Sequence, residues 1–449
     1  MSNLRLKILK ALLRVEDGSY SNLLLDSELK KIEDQRDKGL FTEIFYGVIR
    51  NKLYLDYIID SFSKTPLNKM DKEVLTGLRI GVYQLFFLDK VPARAAIYES
   101  VEAVKMILPN SKKGAVSFTN GVLRNINRKQ DKLMLPDKKK NPEKYLSVKY
   151  SYPVWMVKKF IEQYGMEKAE IILTAGNRRP EVIYRHNSLK MERNQFLELL
   201  SEEEIEYENT FLDSFFKLKK INNPADTEVF KRGGAYIQGT SAGLASLLLD
   251  VKEGMTVLDL AAAPGGKTSH LAELMNNTGQ ITALDISAKR LRLVEENLER
   301  LGVKNVKLKK ADAVQYKDEQ QYDRILADLP CSGLGLIASK PEIKWEKDQS
   351  VIKEMAELQY EILNNNLSKL KNGGKLLYST CTLSREENQK IVDRILEENK
   401  ELKLLDLSQK LAQVSSLKME TENKYLEILP GEVDSEGFFY ALLKKVESD

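Results

Sequence analysis

The chain has 449 residues, which at roughly 100 to 200 residues per domain indicates about two to four domains. Apolar residues make up 42% and charged residues 30%, and no uncharged apolar run approaches the roughly 20 residues that cross a bilayer, so a membrane protein is excluded. The net charge is +4, and charged residues interrupt the leucines of the first twenty positions, which excludes a signal peptide. We expect a cytoplasmic, core-forming protein.

The charge is unevenly distributed along the chain. Residues 1–150 carry 28 basic and 18 acidic side chains, a net charge of +10, whereas the remainder carries 42 and 48, a net charge of −6. Twelve basic and three acidic residues lie between Lys105 and Lys149, including the run Lys138-Lys139-Lys140. This stretch suits a phosphate backbone, although a lysine run can also be a solvated linker.

Metal chemistry is not expected. The cysteines are Cys331 and Cys381, too few for a disulfide framework or a cysteine zinc site, and His186 and His270 are far apart in sequence.

Residues 1–128 have the spacing of amphipathic helices throughout. Leu4, Ile8, Leu12 and Val15 recur at intervals of three or four, as on one face of a helix. Turn and breaker signals separate this helix from later ones at Gly39, Thr65-Pro66, Val91-Pro92 and Pro109-Asn110. The pattern predicts an all-helical domain.

Two shorter regions follow the helical domain. Residues 129–150 are rich in Lys, Asp and Pro, which predicts a basic linker. Within residues 151–232, helical and strand-like patterns alternate, and a strand is predicted over Val182–His186. This region is predicted to be a small α+β domain.

Residues 233–449 alternate regularly between strands and amphipathic helices, as in an α/β, Rossmann-like, doubly wound parallel sheet. Strands are predicted over residues 256–260, 280–284, 306–309, 324–329 and 375–379, and helices over 267–275, 288–301 and 350–370. Two later strand-like runs, 425–429 and 438–443, flank Pro430-Gly431 and predict an antiparallel terminal hairpin.

A loop of small residues follows the first strand of this sheet. Its sequence is Ala261-Ala262-Ala263-Pro264-Gly265-Gly266-Lys267, and a helix comes next. Small residues let a ligand approach the backbone, and the helix N-terminus offers free N–H groups, so we expect a nucleotide-like cofactor. The spacing fits neither a dinucleotide nor an ATP phosphate loop. Lys267 is expected either to hold the cofactor or a substrate phosphate, or to be solvated.

Polar residues follow the next strands at the same sheet edge. Asp285 is placed to accept hydrogen bonds from ribose hydroxyls, or else to cap the helix that follows. Asp312 is placed to accept from an adenine amino group, or to be an ordinary cap. Cys331 and Cys381 both come just after predicted strands, in turns, at the edge where open α/β sheets bind ligands. A lone cysteine is usually a buried hydrophobe, but two at one functional edge indicate chemistry.

Three motifs resemble those of the S-adenosylmethionine-dependent RNA cytosine-C5 methyltransferases. They are residues 262–268, Asp328-Leu329-Pro330-Cys331-Ser332-Gly333 and Tyr378-Ser379-Thr380-Cys381-Thr382. The N-terminal region resembles the NusB-like domain carried by the branch of this family that acts on bacterial 16S ribosomal RNA, in residues 41–50, 78–85 and 120–124. The chain departs from the family pattern at Ala261, at Leu329 and at the less basic stretch 337–340 before Pro341-Glu342-Ile343-Lys344-Trp345, which bears on RNA contact.

The resemblance implies S-adenosyl-L-methionine as cofactor and 16S ribosomal RNA as partner, single-stranded or met before full subunit assembly. It implies that Cys381 attacks carbon 6 of a cytosine so that carbon 5 can take a methyl group, and that Cys331 assists proton removal or product release. Asp328 would contact the base or the cofactor. The implied cofactor site comprises Ala261, Ala262, Ala263, Pro264, Gly265, Gly266, Lys267, Asp285, Asp312 and Asp328. We expect a monomer that binds no metal and does not associate with a membrane.

Two other functions remain open at this point. The chain could be an RNA-binding assembly factor with an inactive methyltransferase-like scaffold, or an S-adenosylmethionine enzyme that modifies another atom. Neither function needs a cysteine nucleophile, so substitution of Cys381 separates both from the cytosine-C5 reaction. An oxidoreductase is the least favoured reading.

Overall fold

The computed structural model describes residues 4–221, 223–417, 419 and 424–446. The chain divides into two compact units. The first comprises Met1–Asn177 and Ser339–Glu346, and the second comprises Arg178–Ala338 and Lys347–Asp449. Among the described residues, no helix is both long enough and apolar enough to span a membrane.

The first unit is built from helices, as the apolar spacing predicts. Ile8, Leu12 and Val15 are buried, which confirms the predicted apolar face of the first helix. Prolines at 66, 92 and 109 lie between helices, where the missing N–H does not interrupt a helical ladder. The helices are α1 (Leu4–Glu16), α2 (Ser21–Leu29), α3 (Gln35–Phe62), α4 (Lys72–Phe87), α5 (Ala93–Ile107), α6 (Lys113–Lys129), α7 (Pro142–Tyr150) and α8 (Val154–Ala175).

The stretch predicted to be a linker contains helix α7. Asn141 caps this helix by accepting a hydrogen bond from the N–H of Lys144, and Pro142 occupies the first turn. Leu146 and Val148 are buried, and the hydroxyl of Ser151 accepts from the N–H of Leu53 at 2.9 Å. The high lysine content of this stretch hides two buried apolar positions, and Ser151 links the end of the stretch to α3.

The second unit contains a four-stranded antiparallel sheet with the order β2-β3-β1-β4. This sheet and its helices confirm the α+β character predicted for the middle of the chain. Phe196, in the helix that follows β1 in the chain, packs against Phe216 of the sheet in a separate small core. The elements are β1 (Val182–His186), α9 (Arg193–Glu202), β2 (Tyr207–Asn209), β3 (Phe215–Leu218), α10 (Glu228–Lys231) and β4 (Ala235–Ile237).

The rest of the second unit is an eight-stranded mixed sheet with helices packed on it. Its strands are β5 (Thr256–Asp259), β6 (Gln280–Asp285), β7 (Val306–Lys310), β8 (Tyr322–Asp328), β9 (Leu370–Thr380), β10 (Leu402–Leu405), β11 (Leu426–Ile428) and β12 (Phe438–Lys445). Its helices are α11 (Thr240–Leu248), α12 (Gly266–Leu274), α13 (Ala288–Arg300), α15 (Gln349–Asn366), α16 (Gln389–Glu398) and α17 (Ser408–Val414), whereas α14 (Ile343–Glu346) belongs to the first unit.

The strand order of the large sheet is β10-β12-β9-β8-β5-β6-β7, with β11 also paired to β12. The pairs among β5, β6, β7, β8 and β9 are parallel, and β12 pairs antiparallel with β9, β10 and β11. These pairings confirm the predicted α/β fold and its antiparallel terminal hairpin. Because β5 lies between β6 and β8, the strand order reverses beside β5, and this is where open α/β sheets bind ligands.

Candidate functional site

The loop of small residues connects β5 to α12 at the point where the strand order reverses. Gly265 has a φ of +102°, a left-handed conformation that favours glycine. A Cβ atom on Gly266 would lie 2.8 Å from the ring of Tyr236, so a side chain does not fit there either. Both glycines are therefore needed for this backbone path.

Three side chains, two from α13 and one from β1, hold the carbonyl oxygens of the loop. Arg290 donates to the carbonyl of Ala263 at 2.9 Å, and Asn297 donates to that of Pro264 at 3.0 Å. Arg185 donates through Nη1 to the carbonyl of Gly266 at 2.6 Å. The N-terminus of α12 has no side-chain cap, so its first N–H groups suit an anionic ligand group.

Arg185 is a fully buried arginine on β1. Besides Gly266 it donates to Oε1 of Gln238 at 2.6 Å and to Oγ of Ser269 at 2.9 Å, and its Nε lies 3.4 Å from Oε2 of Glu273. These contacts fasten the four-stranded sheet to the first turns of α12. Sequence reasoning missed Arg185, although a charged residue at the centre of a predicted strand is an available signal.

Asp259 ends β5 beneath the loop and is 1% exposed. Its Oδ2 accepts from the hydroxyl of Thr268 at 2.7 Å. Burial, which outweighs that hydrogen bond, raises the pKa of Asp259 to about 6. The side chain is positioned to hold the base of the loop.

The two aspartates predicted to bind the cofactor end neighbouring strands. Asp285 is 4% exposed; its Oδ1 accepts from the N–H of Ser287 at 2.9 Å, and its Oδ2 lies 3.2 Å from Nη1 of Arg290. Ser287, rather than Asp285, caps α13. Oδ1 of Asp312 accepts from the N–H of Val314 at 2.9 Å in a turn after β7.

Lys267 and Asp328 form an ion pair between α12 and the end of β8. Nζ of Lys267 lies 2.6 Å from Oδ2 of Asp328, and the hydroxyl of Ser379 donates to Oδ1 at 2.9 Å. Burial alone would lower the pKa of Lys267, but Asp328, Cys381 and Asp259 outweigh burial and raise it. Lys267 is therefore a charged group of the site rather than a solvated side chain.

The two cysteines lie side by side. Their sulfur atoms are 3.1 Å apart, and both side chains are free and partly exposed. A disulfide would need about 2.05 Å, so the two groups are thiols in contact. The hydrogen bond with Cys381, together with burial and the charge of Glu387, raises the pKa of Cys331 well above its usual value.

The structure places Leu329, where the chain departs from the family pattern, and the segment 341–345 in different units. Leu329 is buried after β8. In the 341–345 segment, the indole of Trp345 donates to the carbonyl of Ile49 at 2.7 Å, and Nζ of Lys344 donates to the carbonyl of Arg50 at 3.0 Å. Oε1 of Glu342 accepts from the hydroxyl of Ser21 at 2.8 Å. These side chains stabilise the helical unit.

The predicted site residues thus fall into two groups that share one sheet edge. Cys331 and Cys381 are in contact, and Asp328 joins Lys267 of the small-residue loop to Ser379, two residues before Cys381. Arg290 joins Asp285 to the same loop. The arrangement combines a cradle for a ligand with a free thiol beside a lysine.

The chain is similar to known proteins over nearly its whole length. Residues 246–444 match the family described as 16S rRNA methyltransferase RsmB/F, residues 2–128 match the NusB family, and residues 152–222 match the ferredoxin-like domain of RsmF/B-like methyltransferases. A probable ribosomal RNA small subunit methyltransferase B of Bacillus subtilis is 37% identical over 97% of both chains. The ribosomal RNA small subunit methyltransferase B of Shewanella oneidensis is 34% identical over 99% of both.

Solved structures show the same relationship. The crystal structure of PH0851 superposes with a TM-score of 0.83 and 28% identity over 99% of both chains. The structure of NSun6 from Pyrococcus horikoshii with SFG covers 67% of this chain and 100% of that chain, with a TM-score of 0.60 and 26% identity. The loop, the paired thiols and the full-length similarity lead to one conclusion: this chain belongs to the 16S rRNA methyltransferase RsmB/F family.

Proposed function

We propose that this protein transfers a methyl group from S-adenosylmethionine to carbon 5 of a cytosine in 16S ribosomal RNA, through a transient bond between Cys381 and carbon 6 of the base. The observation that carries the proposal is the 3.1 Å contact between Cys381 and Cys331 at the sheet edge that also holds the small-residue loop. Membership of the family and the names of its relatives support ribosomal RNA as the substrate.

The chemistry explains why a thiol is needed. Carbon 5 of cytosine is a poor nucleophile, and addition of a thiolate to carbon 6 increases its electron density. Lys267 is close enough to Cys381 for their charges to interact, so a cation lies beside the sulfur that attacks the base. After methyl transfer, the proton on carbon 5 passes to solvent water, the electrons of that C–H bond re-form the double bond between carbons 5 and 6, and Cys381 leaves carbon 6 as a thiolate.

Cys331 and Asp328 have supporting roles in this proposal. Cys331 keeps its proton because its pKa is raised, so it serves as a hydrogen-bond donor to Cys381 and assists when the adduct is resolved. Asp328, held by Lys267 and Ser379, contacts the base or the cofactor. Both groups lie where charge changes during the reaction.

The residues present fit S-adenosylmethionine, which supplies the methyl group when bound. The uncapped N-terminus of α12 suits its carboxylate. The Asp285 carboxylate has about four acceptor positions, and Ser287 and Arg290 use two of them, which leaves two for ribose hydroxyls. Asp312, in the turn after β7, would accept a hydrogen bond from the adenine amino group. SFG, named with the Pyrococcus horikoshii NSun6 structure, is an analogue of this cofactor.

The RNA has to present an unstacked cytosine, because a paired base cannot reach the thiol and the cofactor together. A single-stranded segment, or RNA before full subunit assembly, meets this requirement. Exposed basic side chains of the helical unit, among them Arg124, Arg128, Lys129 and Lys139, supply a surface for the phosphate backbone.

The test compares Cys381→Ala with Cys331→Ala, which each remove one thiol of the same pair. Wild-type protein is expected to methylate 16S ribosomal RNA at carbon 5, as mapped by bisulfite sequencing, and to form a covalent adduct with 5-fluorocytosine RNA. Cys381→Ala is expected to lose both properties but to retain RNA binding. Cys331→Ala is expected to retain the adduct and to release product slowly.

Three results would contradict the proposal. Methylation at a nitrogen or on another base would indicate a different reaction on the same scaffold. If Cys381→Ala retains full methylation, the thiol is not the nucleophile; if wild-type protein binds the RNA but never methylates it, the assembly-factor alternative is correct.

A further inference from the structure

Two adjacent residues, Glu387 and Asn388, lie behind the cysteine pair. Neither is named by the mechanism above, and both are fully buried. They follow Cys381 in the chain, in the turn before α16.

Glu387 holds the segment that carries Cys331. Its carboxylate accepts from the backbone N–H of Ser332 at 2.8 Å and from the hydroxyl of Ser332 at 2.5 Å. It also accepts from Nε2 of Gln359 at 3.2 Å, and the same amide group donates to the carbonyl of Pro330 at 2.8 Å. The residues on both sides of Cys331 are thus fixed through one carboxylate.

Asn388 holds the segment that carries Cys381 in the same way. Its Oδ1 accepts from the hydroxyl of Thr380 at 2.6 Å, and its Nδ2 donates to the carbonyl of Thr382 at 3.0 Å. Thr380 and Thr382 flank Cys381 and are fully buried. A buried amide with both ends satisfied leaves its partners little freedom.

A hydroxyl contact joins the two segments. Oγ of Ser332 and Oγ1 of Thr382 lie 2.7 Å apart. Because Ser332 donates its hydroxyl proton to Glu387, Thr382 donates to Ser332. A continuous chain of hydrogen bonds therefore runs from Glu387 to the residues next to both sulfurs.

Glu387 acts on Cys331 through its negative charge as well as through its hydrogen bonds. The carboxylate is buried and close to that sulfur, and it contributes to the raised pKa of Cys331. A negative charge near Cys331 opposes its ionisation, so Glu387 favours retention of the proton on Cys331.

From these contacts we infer that Glu387 and Asn388 are positioning residues for the methyl transfer: together they hold the two sulfurs in contact, and Glu387 keeps Cys331 protonated. This inference rests on the proposed function, because it assigns the residues a role in presenting Cys381 as the nucleophile.

The first experiment compares Glu387→Gln with Glu386→Gln. Both substitutions remove one carboxylate charge, but the carboxylate of Glu386 accepts from the hydroxyl of Ser384, whereas that of Glu387 accepts from Ser332 beside Cys331. Because small displacements of a reacting group cost up to about 100-fold in rate, we expect Glu387→Gln to lower kcat at least about tenfold with little change in KM for RNA. Glu386→Gln is expected to keep wild-type kcat.

The second experiment needs neither RNA nor cofactor. With Cys381→Ser in the background, Cys331 is the sole cysteine of the chain, and its rate of alkylation by iodoacetamide is measured against pH. Glu387→Gln is expected to move the midpoint to lower pH, because the opposing charge is gone, whereas Glu386→Gln is expected to leave it in place. A purely structural role would not produce this shift.

An unchanged alkylation midpoint in Glu387→Gln, or an equal loss of kcat in both variants, would overturn the inference. If Glu387→Gln does not fold, Ser332→Ala serves instead, because it removes only the hydroxyl contact with Glu387. A kcat of Ser332→Ala equal to that of wild type would then also overturn the inference. The alkylation result is independent of the methylated atom, so failure of the proposed function and failure of this inference are distinguishable.

Discussion

The buried arginine on β1 offers the sharpest test of how the structure supports its site. Arg185 has no exposed surface, and it donates to Gln238, Gly266 and Ser269. Arg185→Met keeps much of the apolar volume but removes all of these donors. It also leaves Glu273, whose Oε2 lies 3.4 Å from Arg185, without its buried cation.

The expected loss can be worked out from these contacts. Hydrogen bonds that involve a charged group contribute about 1.5 to 3 kcal/mol each, so three of them set an upper range of about 5 to 9 kcal/mol. Burial of the guanidinium offsets part of this, as the lowered pKa of Arg185 shows. Breaking a buried charged pair by removing one partner costs about 3 to 5 kcal/mol. We therefore expect the free energy of unfolding to fall by about 4 kcal/mol.

Urea unfolding measures this loss, and calorimetric titration with S-adenosylhomocysteine measures its effect on the loop. Because the carbonyl of Gly266 loses its anchor, we expect affinity to fall about tenfold, or about 1.4 kcal/mol. The matched control is Arg193→Met, which removes an exposed arginine that donates to the carbonyl of Asp213; its cost should stay below about 1 kcal/mol. An Arg185→Met protein as stable as this control would refute the reasoning.

Three further predictions follow from the site and the helical unit. Asp285→Ala should weaken S-adenosylhomocysteine binding at least about tenfold in a calorimetric titration, whereas Glu296→Ala on the exposed side of α13 should not. The pKa of Asp259 is raised from 3.8 to about 6, so the contribution of this carboxyl group to stability is complete below about pH 4 and is lost as the pH rises through 6. In urea unfolding, the wild type should therefore lose about 3 kcal/mol between pH 4 and 7 relative to Asp259→Asn. If the two proteins depend on pH in the same way, this prediction is wrong. Trp345→Ala should cost about 2 to 3 kcal/mol in thermal unfolding and Trp345→Phe clearly less, because the ring packs on the helical core.

The elements with strong periodicity were predictable from the sequence. The alternation of strands and helices after residue 233 places β5, β6, β7, β8 and β9 in order, and parallel strands bring their ends to one edge. The loop of small residues and both cysteines are found at that edge for this reason. Helix α7 was hidden because the lysines around Leu146 and Val148 mask a short apolar pattern.

The supporting side chains could not be predicted in the same way. Arg185 and Gly266 are 81 positions apart, and Ser332 and Glu387 are 55 apart. Such pairs depend on how elements pack, and no local pattern in the sequence records them. The contact of Trp345 with the carbonyl of Ile49, 296 positions away, belongs to the same class.

The route of the chain through its two compact units bears on how the protein can be dissected. Residues Ser339–Glu346 belong to the helical unit although they lie between parts of the sheet-containing unit. A fragment that begins at Arg178 would lack the residues that bind Lys344 and Trp345, and both side chains would be exposed to water. Conversely, a helical fragment ending at Asn177 would lack an eight-residue piece of its own core. A cut after Asn177 alone should therefore leave two fragments that remain associated under native conditions.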